Sequence, residues 1–295
     1  MRSNMTAKLQ VFASMFIFGT IGVFVRHLSL PSSIIALCRG VIGVSFLLIL
    51  LLVRGRRPDL KAVKKNLLWL FLSGSALGFN WILLFESYRY TSVAVSTLCY
   101  YMAPILVILL SPILLKERLT GKKLLCVALS LFGMVCISGV MQEQAPTSGE
   151  VKGIFLGLTA AVLYAAIVLM NKHIKGVPAY ERTILQLGIS AVVLLPYCVV
   201  TQVGTPMTWD TKALLLLLLV GVVHTGLAYY LYFGALDTVS GQTAAMISYL
   251  DPVVAVLASV IILKEHMLLS EGIGAVLILG AALLSEINIG KKVQP

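Results

Sequence analysis

The sequence predicts an all-α polytopic membrane protein, with ten transmembrane helices arranged as two inverted repeats of five helices. Three observations lead to this prediction. The chain of 295 residues is 59% hydrophobic and only 12% charged, a composition outside the range of ordinary soluble domains. Its apolar residues fall into ten long stretches, and two segments 148 positions apart have similar sequences.

The ten apolar stretches have the length that a bilayer requires. A membrane-spanning helix needs about 20 apolar residues, because the hydrocarbon core is about 30 Å thick. No small-residue cleavage site follows the first stretch, so a retained helix is expected there rather than a signal peptide. The predicted spans lie near residues 9–27, 33–53, 67–88, 93–115, 123–140, 153–171, 180–201, 213–235, 240–263 and 269–287.

The distribution of lysine and arginine predicts that both termini lie inside, because cytoplasmic loops carry the excess of these residues. The outer half then holds six of the 23, including Arg39 within the second span. The inner half holds 17, namely Arg2, Lys8, Arg54, Arg56, Arg57, Lys61, Lys64, Lys65, Lys116, Arg118, Lys122, Lys123, Lys172, Lys175, Arg182, Lys291 and Lys292.

Charge and motif content exclude several other partners. The net charge of +11 comes from short clusters between apolar stretches, without the basic face that nucleic-acid binding needs. The five cysteines form no CxxC pair and lie in apolar stretches, which is typical of buried small side chains. No GxxxxGK[ST] motif for ATP occurs. We therefore expect no nucleic acid, no cofactor and no metal.

An internal repeat is visible when the chain is aligned with itself at an offset of 148 residues. Residues 98–118, LCYYMAPILVILLSPILLKER, then match residues 246–266, MISYLDPVVAVLASVIILKEH. The identities pair Tyr101 with Tyr249 and Pro104 with Pro252, and a Lys-Glu pair recurs in register. We predict one repeat over residues 1–141, a linker over 142–152 and a second repeat over 153–295.

Five spans in each repeat give the two repeats opposite orientations. An offset of 143 also aligns Arg39 with Arg182, which places the second and seventh spans in correspondence. Inverted repeats are the architecture that many secondary transporters use for alternating access. A membrane-embedded enzyme or an anchor has no such requirement.

The sequence resembles the drug/metabolite transporter superfamily, and within it the ten-helix bacterial carriers of the EamA type. The resemblance extends over nearly the whole chain. It is carried by FGTIGVFVRH in the first span, TSVAVSTLCYYMAPILVILL in the fourth, LLKERLT after it, and the counterparts SGQTAAMISYLDPVVAVLAS and ILKEHML.

The resemblance implies a fold and a class of function. It implies a central cavity lined by the first, third, fourth, sixth, eighth and ninth helices, and a location in the bacterial inner membrane. Members of the family export amino acids, metabolites or toxic compounds, and some relatives import their substrates. The family usually has a small or apolar residue where this chain has Glu86, so a role for Glu86 does not follow from the resemblance.

Polar side chains at mid-membrane depth are candidates to bind a solute, since lipid cannot satisfy their hydrogen bonds. The aromatic rings among them also offer π faces to an aromatic or cationic compound. The candidates are Asn80, Trp81, Tyr100, Tyr101, Tyr164, His224, Tyr229, Tyr249 and Asp251.

Asp251 is the principal candidate for proton coupling, with His224 and Glu86 as further candidates. It lies at the centre of the ninth span, where a carboxylate is costly. Its protonation could change between a dry and a wet state of the cavity. The alternative is a packing role, in which Asp251 bonds to a tyrosine or histidine across helices. Its repeat partner is Ala103, and this asymmetry favours a specialised role.

Proline and arginine within the spans have two interpretations each. Pro104 and Pro252 cannot bond the carbonyl four residues earlier, so they are candidate hinges or residues that merely shape the bundle. Arg39 could bind a substrate carboxylate bidentately. Alternatively, it extends to the membrane interface or pairs with an acid such as Glu86.

The leading hypothesis is therefore a secondary transporter that exports small organic metabolites. An importer or exchanger of the same fold is the nearest alternative. A channel or a membrane-embedded transferase belongs to a different class, and no HxxxxD, HExxH or DxD-like set supports the transferase. The sequence leaves open whether the protein is a monomer or a dimer.

Overall fold

All regular secondary structure in the described part of the chain is helical. The computed structural model describes residues 2–53, 55, 60–114, 120–137, 146–236, 238–239 and 247–286. The helices are α1 Arg2–Arg26, α2 Ser32–Val53, α3 Leu60–Lys65, α4 Leu67–Tyr90, α5 Val93–Tyr100, α6 Ala103–Leu114, α7 Gly121–Ile137, α8 Ser148–Asn171, α9 Ala179–Gln202, α10 Thr211–Gly221, α11 Ala228–Leu236, α12 Leu250–Ile261 and α13 Leu269–Glu286.

Seven helical stretches in these ranges are long and apolar enough to cross a membrane, and Leu250–Ile261 and Leu269–Leu284 are shorter apolar helices. Large apolar side chains also remain exposed on the outside of the bundle. Val53 is 78% exposed, Phe155 67% and Val276 73%, which suits a surface that faces lipid. The chain is thus a multi-pass membrane protein, and the count of ten spans stays a prediction.

The sixth predicted span begins earlier than expected. The helix α8 starts at Ser148 rather than at residue 153, because Thr147 and Glu150 form a capping box. The Glu150 amide donates to the Thr147 hydroxyl at 3.2 Å, and the Thr147 amide donates to the Glu150 carboxylate at 2.8 Å. The helix therefore takes up the C-terminal part of the predicted linker, whose residues 142–145 lie outside the described ranges.

The fourth and ninth predicted spans are both interrupted three residues before a proline. Tyr101, between α5 and α6, has φ −73° and ψ 4°. Tyr249, at the start of α12, has φ −70° and ψ −6°. Because Pro104 and Pro252 lack an amide hydrogen, neither can continue the helical hydrogen bonding across this point. The two aligned tyrosines thus have nearly the same backbone conformation.

The eighth predicted span contains a π-helical segment that the sequence analysis did not anticipate. Val222–Leu227 is π-helical and joins α10 to α11. Glycines bring α2 close to this segment. A Cβ atom on Gly43 would lie 2.4 Å from Thr225 Cγ2, and one on Gly226 would lie 2.4 Å from Phe46 Cδ1. The backbones of α2 and the π segment can therefore approach this closely only because the residues at these positions are glycines without side chains.

Helices of the N-terminal half pack against helices of the C-terminal half. Helix α4 contacts α8 and α9, α1 contacts α11 and α12, α2 contacts α9 and the π segment, and α7 contacts α13. Small residues form several of these seams: a Cβ on Gly78 would lie 2.7 Å from Ser190 Oγ, and one on Gly153 would lie 2.8 Å from Thr91 Cγ2. These glycines belong to the GxxxG patterns at residues 74–78 and 153–157, which permit close contact between helices.

Candidate functional site

A cavity of about 410 Å³ lies between the N-terminal and C-terminal halves of the chain. Side chains of α1, α2, α4, α5, α6, α8, α9, α11 and α12 line it. Its charged lining residues, in the described part of the chain, are Arg39, Arg182 and Asp251. Its tyrosines are Tyr88, Tyr100, Tyr101, Tyr164, Tyr229, Tyr232 and Tyr249. The site is therefore aromatic, with a few polar groups that can orient a solute.

Most of the predicted binding residues line this cavity. They are Trp81, Tyr100, Tyr101, Tyr164, Tyr229, Tyr249 and Asp251, and the predicted hinge Pro104 lies beside them. Three other candidates do not belong to the described lining: Asn80, His224 and Glu86. The structure thus brings the aromatic candidates together around Asp251 and separates them from the other two acid–base candidates.

Asp251 contacts the opposite half of the molecule. It lies in the first turn of α12, directly after the break at Tyr249, where the helix N-terminus favours negative charge. Its Oδ2 atom accepts a hydrogen bond of 2.6 Å from the Tyr101 hydroxyl. Helix α1 packs closely behind it, since a Cβ on Gly19 would lie 2.5 Å from the Asp251 carbonyl oxygen. The carboxylate is thus held at the cavity wall rather than in lipid.

Arg39 is a second charged group in the same wall. Its side chain is almost fully buried, and its Nε donates to Thr225 Oγ1 at 2.8 Å. The guanidinium carbon lies 4.1 Å from the centre of the Trp81 ring and 5.7 Å from that of Phe85. Arg39 therefore does not extend to the interface, and an aromatic shelf supports its planar group.

Arg39 also lacks the predicted alternative partner. The Glu86 carboxylate accepts a hydrogen bond of 2.6 Å from Ser32 and lies 3.6 Å from the Arg89 guanidinium. Glu86 is thereby engaged near the C-terminal end of α4, next to Arg89. The prediction that Arg39 pairs with Glu86 is wrong, because α4 turns the carboxylate toward the start of α2 instead of toward the cavity.

Asn80 and His224 are buried in helix contacts. The Asn80 amide donates to the Ala160 carbonyl at 2.6 Å, which joins α4 to α8. The Nε2 atom of His224 lies 3.2 Å from Thr20 Oγ1, and its ring is tilted against that of Phe24, with 4.8 Å between the ring centres. Asn80 also accepts a hydrogen bond of 3.5 Å from the hydroxyl of Tyr100, so it contacts the cavity wall without belonging to the described lining.

An amide network that the sequence analysis did not identify lies at another part of the cavity wall. Gln186 donates to Ser73 Oγ at 2.6 Å and to Asn171 Oδ1 at 2.7 Å, which ties together α4, α8 and α9. Gln186, Asn171 and Arg182 all line the cavity. The sequence signal for this network was the polar residues at the end of the sixth span and the start of the seventh. Of these three residues, only Arg182 was considered, as a basic residue of the inner half and as the counterpart of Arg39.

A solute-sized aromatic cavity between the two halves of a helical membrane protein is typical of membrane transporters. The comparisons with known proteins agree. The model of the EamA-like transporter family matches twice, at residues 5–139 and 151–286. The chain belongs to the EamA-like transporter family, and it is a transporter rather than an enzyme.

Two of the relatives carry transporter names without a substrate, and a third has a name that states no function. The chain is 30% identical to the uncharacterized transporter YxxF of Bacillus subtilis, over 96% of this chain and 90% of the relative. It is 28% identical to an uncharacterized transporter of Archaeoglobus fulgidus, over 92% and 93%. It is 25% identical to protein PecM of Dickeya dadantii, over 77% and 78%.

A solved structure shares the fold. The crystal structure of a protein 20% identical to this chain superposes with a TM-score of 0.64, covering 95% of this chain and 96% of the other. This likeness supports the helical architecture over nearly the whole chain.

Proposed function

We propose that this protein is a secondary active transporter that exports small organic metabolites across the bacterial inner membrane by alternating access, with proton coupling. Amino acids and aromatic or cationic compounds are the solutes that the sequence predicts. The observation that carries the proposal is the contact at the cavity: Tyr101 of the N-terminal half donates a hydrogen bond to Asp251 of the C-terminal half. A movement that opens the cavity between these halves would change this hydrogen bond and thus the surroundings of the carboxylate.

Alternating access needs two equivalent halves, and several features support them. The family model matches each half separately, and Tyr101 and Tyr249 have nearly the same backbone angles. Several helix contacts in the described part of the chain also persist when a predicted span is exchanged for its repeat counterpart. For example, α4 contacts α8, and the corresponding helices α11 and α1 contact each other. Each half contains five predicted spans, so the repeats are inverted and both termini lie inside.

Export is the direction that the family resemblance implies. Import and exchange by the same fold are the alternatives, and a measured direction of net flux distinguishes them. A channel is distinguished in the same experiment, because carrier flux saturates with solute concentration while channel flux does not.

Proton coupling is assigned to Asp251, because it is the carboxylate in the described lining of the cavity. The charged and titratable groups that interact with it, all of which line the same cavity, are Arg39, Tyr88, Tyr100, Tyr101, Tyr164 and Tyr229. A carboxylate in a poorly hydrated site favours its neutral form, and water entering the cavity favours the charged form. Closing the cavity therefore favours binding of a proton, and opening it favours its release.

The Asp251→Asn variant tests this assignment in proteoliposomes. We expect it to retain counterflow of labelled phenylalanine, because the side chain still fills its place and accepts a hydrogen bond. Net flux driven by a pH gradient should be lost, because the amide cannot carry a proton.

Glu86→Gln is the matched control, since Glu86 bonds to Ser32 outside the described lining, and its flux should follow the pH gradient as the wild type does. Gradient-driven flux that is unchanged in Asp251→Asn would remove the assignment of Asp251.

A further inference from the structure

We propose that Arg39 is the binding site for a carboxylate of the transported solute, so that the cavity selects aromatic carboxylates over cationic compounds. The proposal rests on the transport function proposed above and narrows its substrate class. It uses a residue whose role as a ligand site is otherwise unassigned.

The first argument is the missing counter-charge. Arg39 is only 5% exposed, and burying a guanidinium without an anion is costly. Within the described ranges, the ion pairs closer than or equal to 4.0 Å are Arg26 with Glu265 and Arg89 with Glu86. Neither involves Arg39. Asp251 lines the same cavity and interacts with Arg39 only from beyond 4.0 Å, so a solute carboxylate beside the guanidinium would supply the direct ion pair that the described part of the protein does not.

The second argument is the orientation of the guanidinium. Thr225 Oγ1 donates its proton to the Val220 carbonyl at 3.1 Å, so its lone pairs face Arg39 and accept the Nε hydrogen at 2.8 Å. The Trp81 ring, 4.1 Å away, fixes the plane of the group. The two terminal nitrogens then form the edge that can bind both oxygens of a carboxylate.

The third argument is the local backbone that holds Thr225. The bond from Thr225 to Val220 spans five residues, and it lies where the π segment begins. Such π segments in α-helices are frequent at functional sites. The close approach of Gly43 to Thr225 presses α2 against this segment. The π segment therefore acts as a positioning element for Arg39.

The fourth argument is the balance of charge in the cavity. Two arginines, Arg39 and Arg182, face one carboxylate, Asp251, among the described lining residues. A cationic solute would have to enter against this excess of positive charge. The aromatic rings around the cavity provide contact area for an apolar body, and a volume of about 410 Å³ suits a small ligand.

The test is isothermal titration calorimetry of the full-length protein in lipid nanodiscs. The probes share one phenyl group and differ at the other end: 3-phenylpropionate, 3-phenylpropionamide and 3-phenylpropylamine, with inorganic phosphate as an anion that lacks the ring. We expect the acid to bind at least tenfold more tightly than the amide, the amine or phosphate. In Arg39→Lys the affinity for the acid should fall at least tenfold, while that for the amide stays unchanged.

Two further variants keep the test decisive if Arg39→Lys folds poorly. Thr225→Val removes the oxygen that orients the guanidinium, and we expect it to lower acid affinity severalfold without affecting the amide. Arg89→Lys, outside the described cavity lining, should bind every probe as the wild type does. The proposal is overturned if no probe binds, if the amine or phosphate binds as well as the acid, or if Thr225→Val and Arg39→Lys keep the acid preference.

Transport is measured separately, so that the two proposals can fail independently. Acid binding that depends on Arg39 without saturable flux in proteoliposomes would overturn the transport function and leave the carboxylate site. Saturable flux of phenylalanine that Arg39→Lys leaves unchanged would overturn the carboxylate site and leave the transport function.

Discussion

Gly43 lies at one of the tight contacts between α2 and the π segment. A methyl group at this position would meet Thr225 Cγ2 at 2.4 Å and Thr225 Cβ at 2.9 Å. Gly43→Ala should therefore destabilise the protein, since overpacking a tight contact costs about 1–3 kcal/mol and the helix-propensity gain offsets only about 1 kcal/mol of it. The expected result is a lower midpoint of thermal unfolding in detergent.

Gly280→Ala is the matched control, because nothing lies within 4 Å of a Cβ atom at Gly280 in α13. Its midpoint should equal or slightly exceed that of the wild type, since alanine is the better helix former. Equal midpoints for both variants would mean that α2 has room to move away from Thr225.

At the residue scale, the position of a polar residue along an apolar stretch could be read from the sequence, but the direction in which its side chain points could not. Asp251 and the tyrosines were found because their depth in an apolar stretch made them costly in lipid, and they line the cavity. Asn80 lies at a similar depth and was assigned to the site by the same reasoning, yet it bonds to Ala160. The side of a helix that faces the cavity depends on its neighbours, and a helix apolar all round does not encode it.

The breaks at Tyr101 and Tyr249 are features of single elements. Replacing Pro104 or Pro252 with alanine restores an amide hydrogen and permits a continuous helix. We expect each variant to slow counterflow severalfold while leaving solute affinity unchanged, because a straighter helix resists bending at this point. Parallel measurements of counterflow rate and calorimetric affinity would test this expectation.

Pro196→Ala provides the control for the hinge variants. Pro196 lies inside α9, which continues from Ala179 to Gln202 without a break. Its replacement should leave the counterflow rate close to that of the wild type. A similar slowing in all three variants would point to a general effect of proline loss rather than to hinges at Tyr101 and Tyr249.

At the element scale, proline residues mark the interrupted helices in the sequence, whereas no sequence signal marks the π segment. The repeated proline lies next to both breaks that the structure shows, at tyrosines with nearly the same backbone angles, and the role of these prolines as hinges stays a prediction. The π segment lies within an uninterrupted apolar stretch that satisfies the length rule for a simple helix. Its cause is tertiary: Gly43, Gly221 and Gly226 allow α2 to approach, and these contacts join residues far apart in the chain.

At the scale of the whole molecule, Glu265 connects the two halves at the side opposite the predicted inner loops. Its carboxylate accepts hydrogen bonds from the Ser259 hydroxyl and, at 2.9 Å, from the Val93 amide at the start of α5. The Arg26 guanidinium lies 4.0 Å away. The contact therefore joins the segment after α12 to α1 and α5, and in the proposed transporter it would form a closure on the outer side.

Glu265→Gln should weaken this closure, because it removes a negative charge from a helix N-terminus. That interaction contributes about 0.3–1 kcal/mol, so the open population should rise about two- to fivefold. A Thr97→Cys reporter in the cavity would measure it, through the rate at which an impermeant thiol reagent labels it from the outside. Labelling by the native cysteines is subtracted using protein without the reporter.

Glu271→Gln is the control for this measurement. Glu271 accepts a hydrogen bond of 2.9 Å from the Leu268 amide and caps α13 within its own half. It should leave the labelling rate unchanged. Equal rates in Glu265→Gln and Glu271→Gln would argue against a closure at Glu265.

The bend in the chain occurs twice, whereas the cavity carboxylate occurs once, since Asp251 aligns with Ala103. The helix breaks and the proposed proton-binding carboxylate are therefore provided by different side chains, although Asp251 lies directly before Pro252. A designer who wishes to alter what the protein carries can vary the lone acid and the buried arginine while keeping both proline joints. The same helical framework can thus be adapted to bind solutes that the natural protein does not accept.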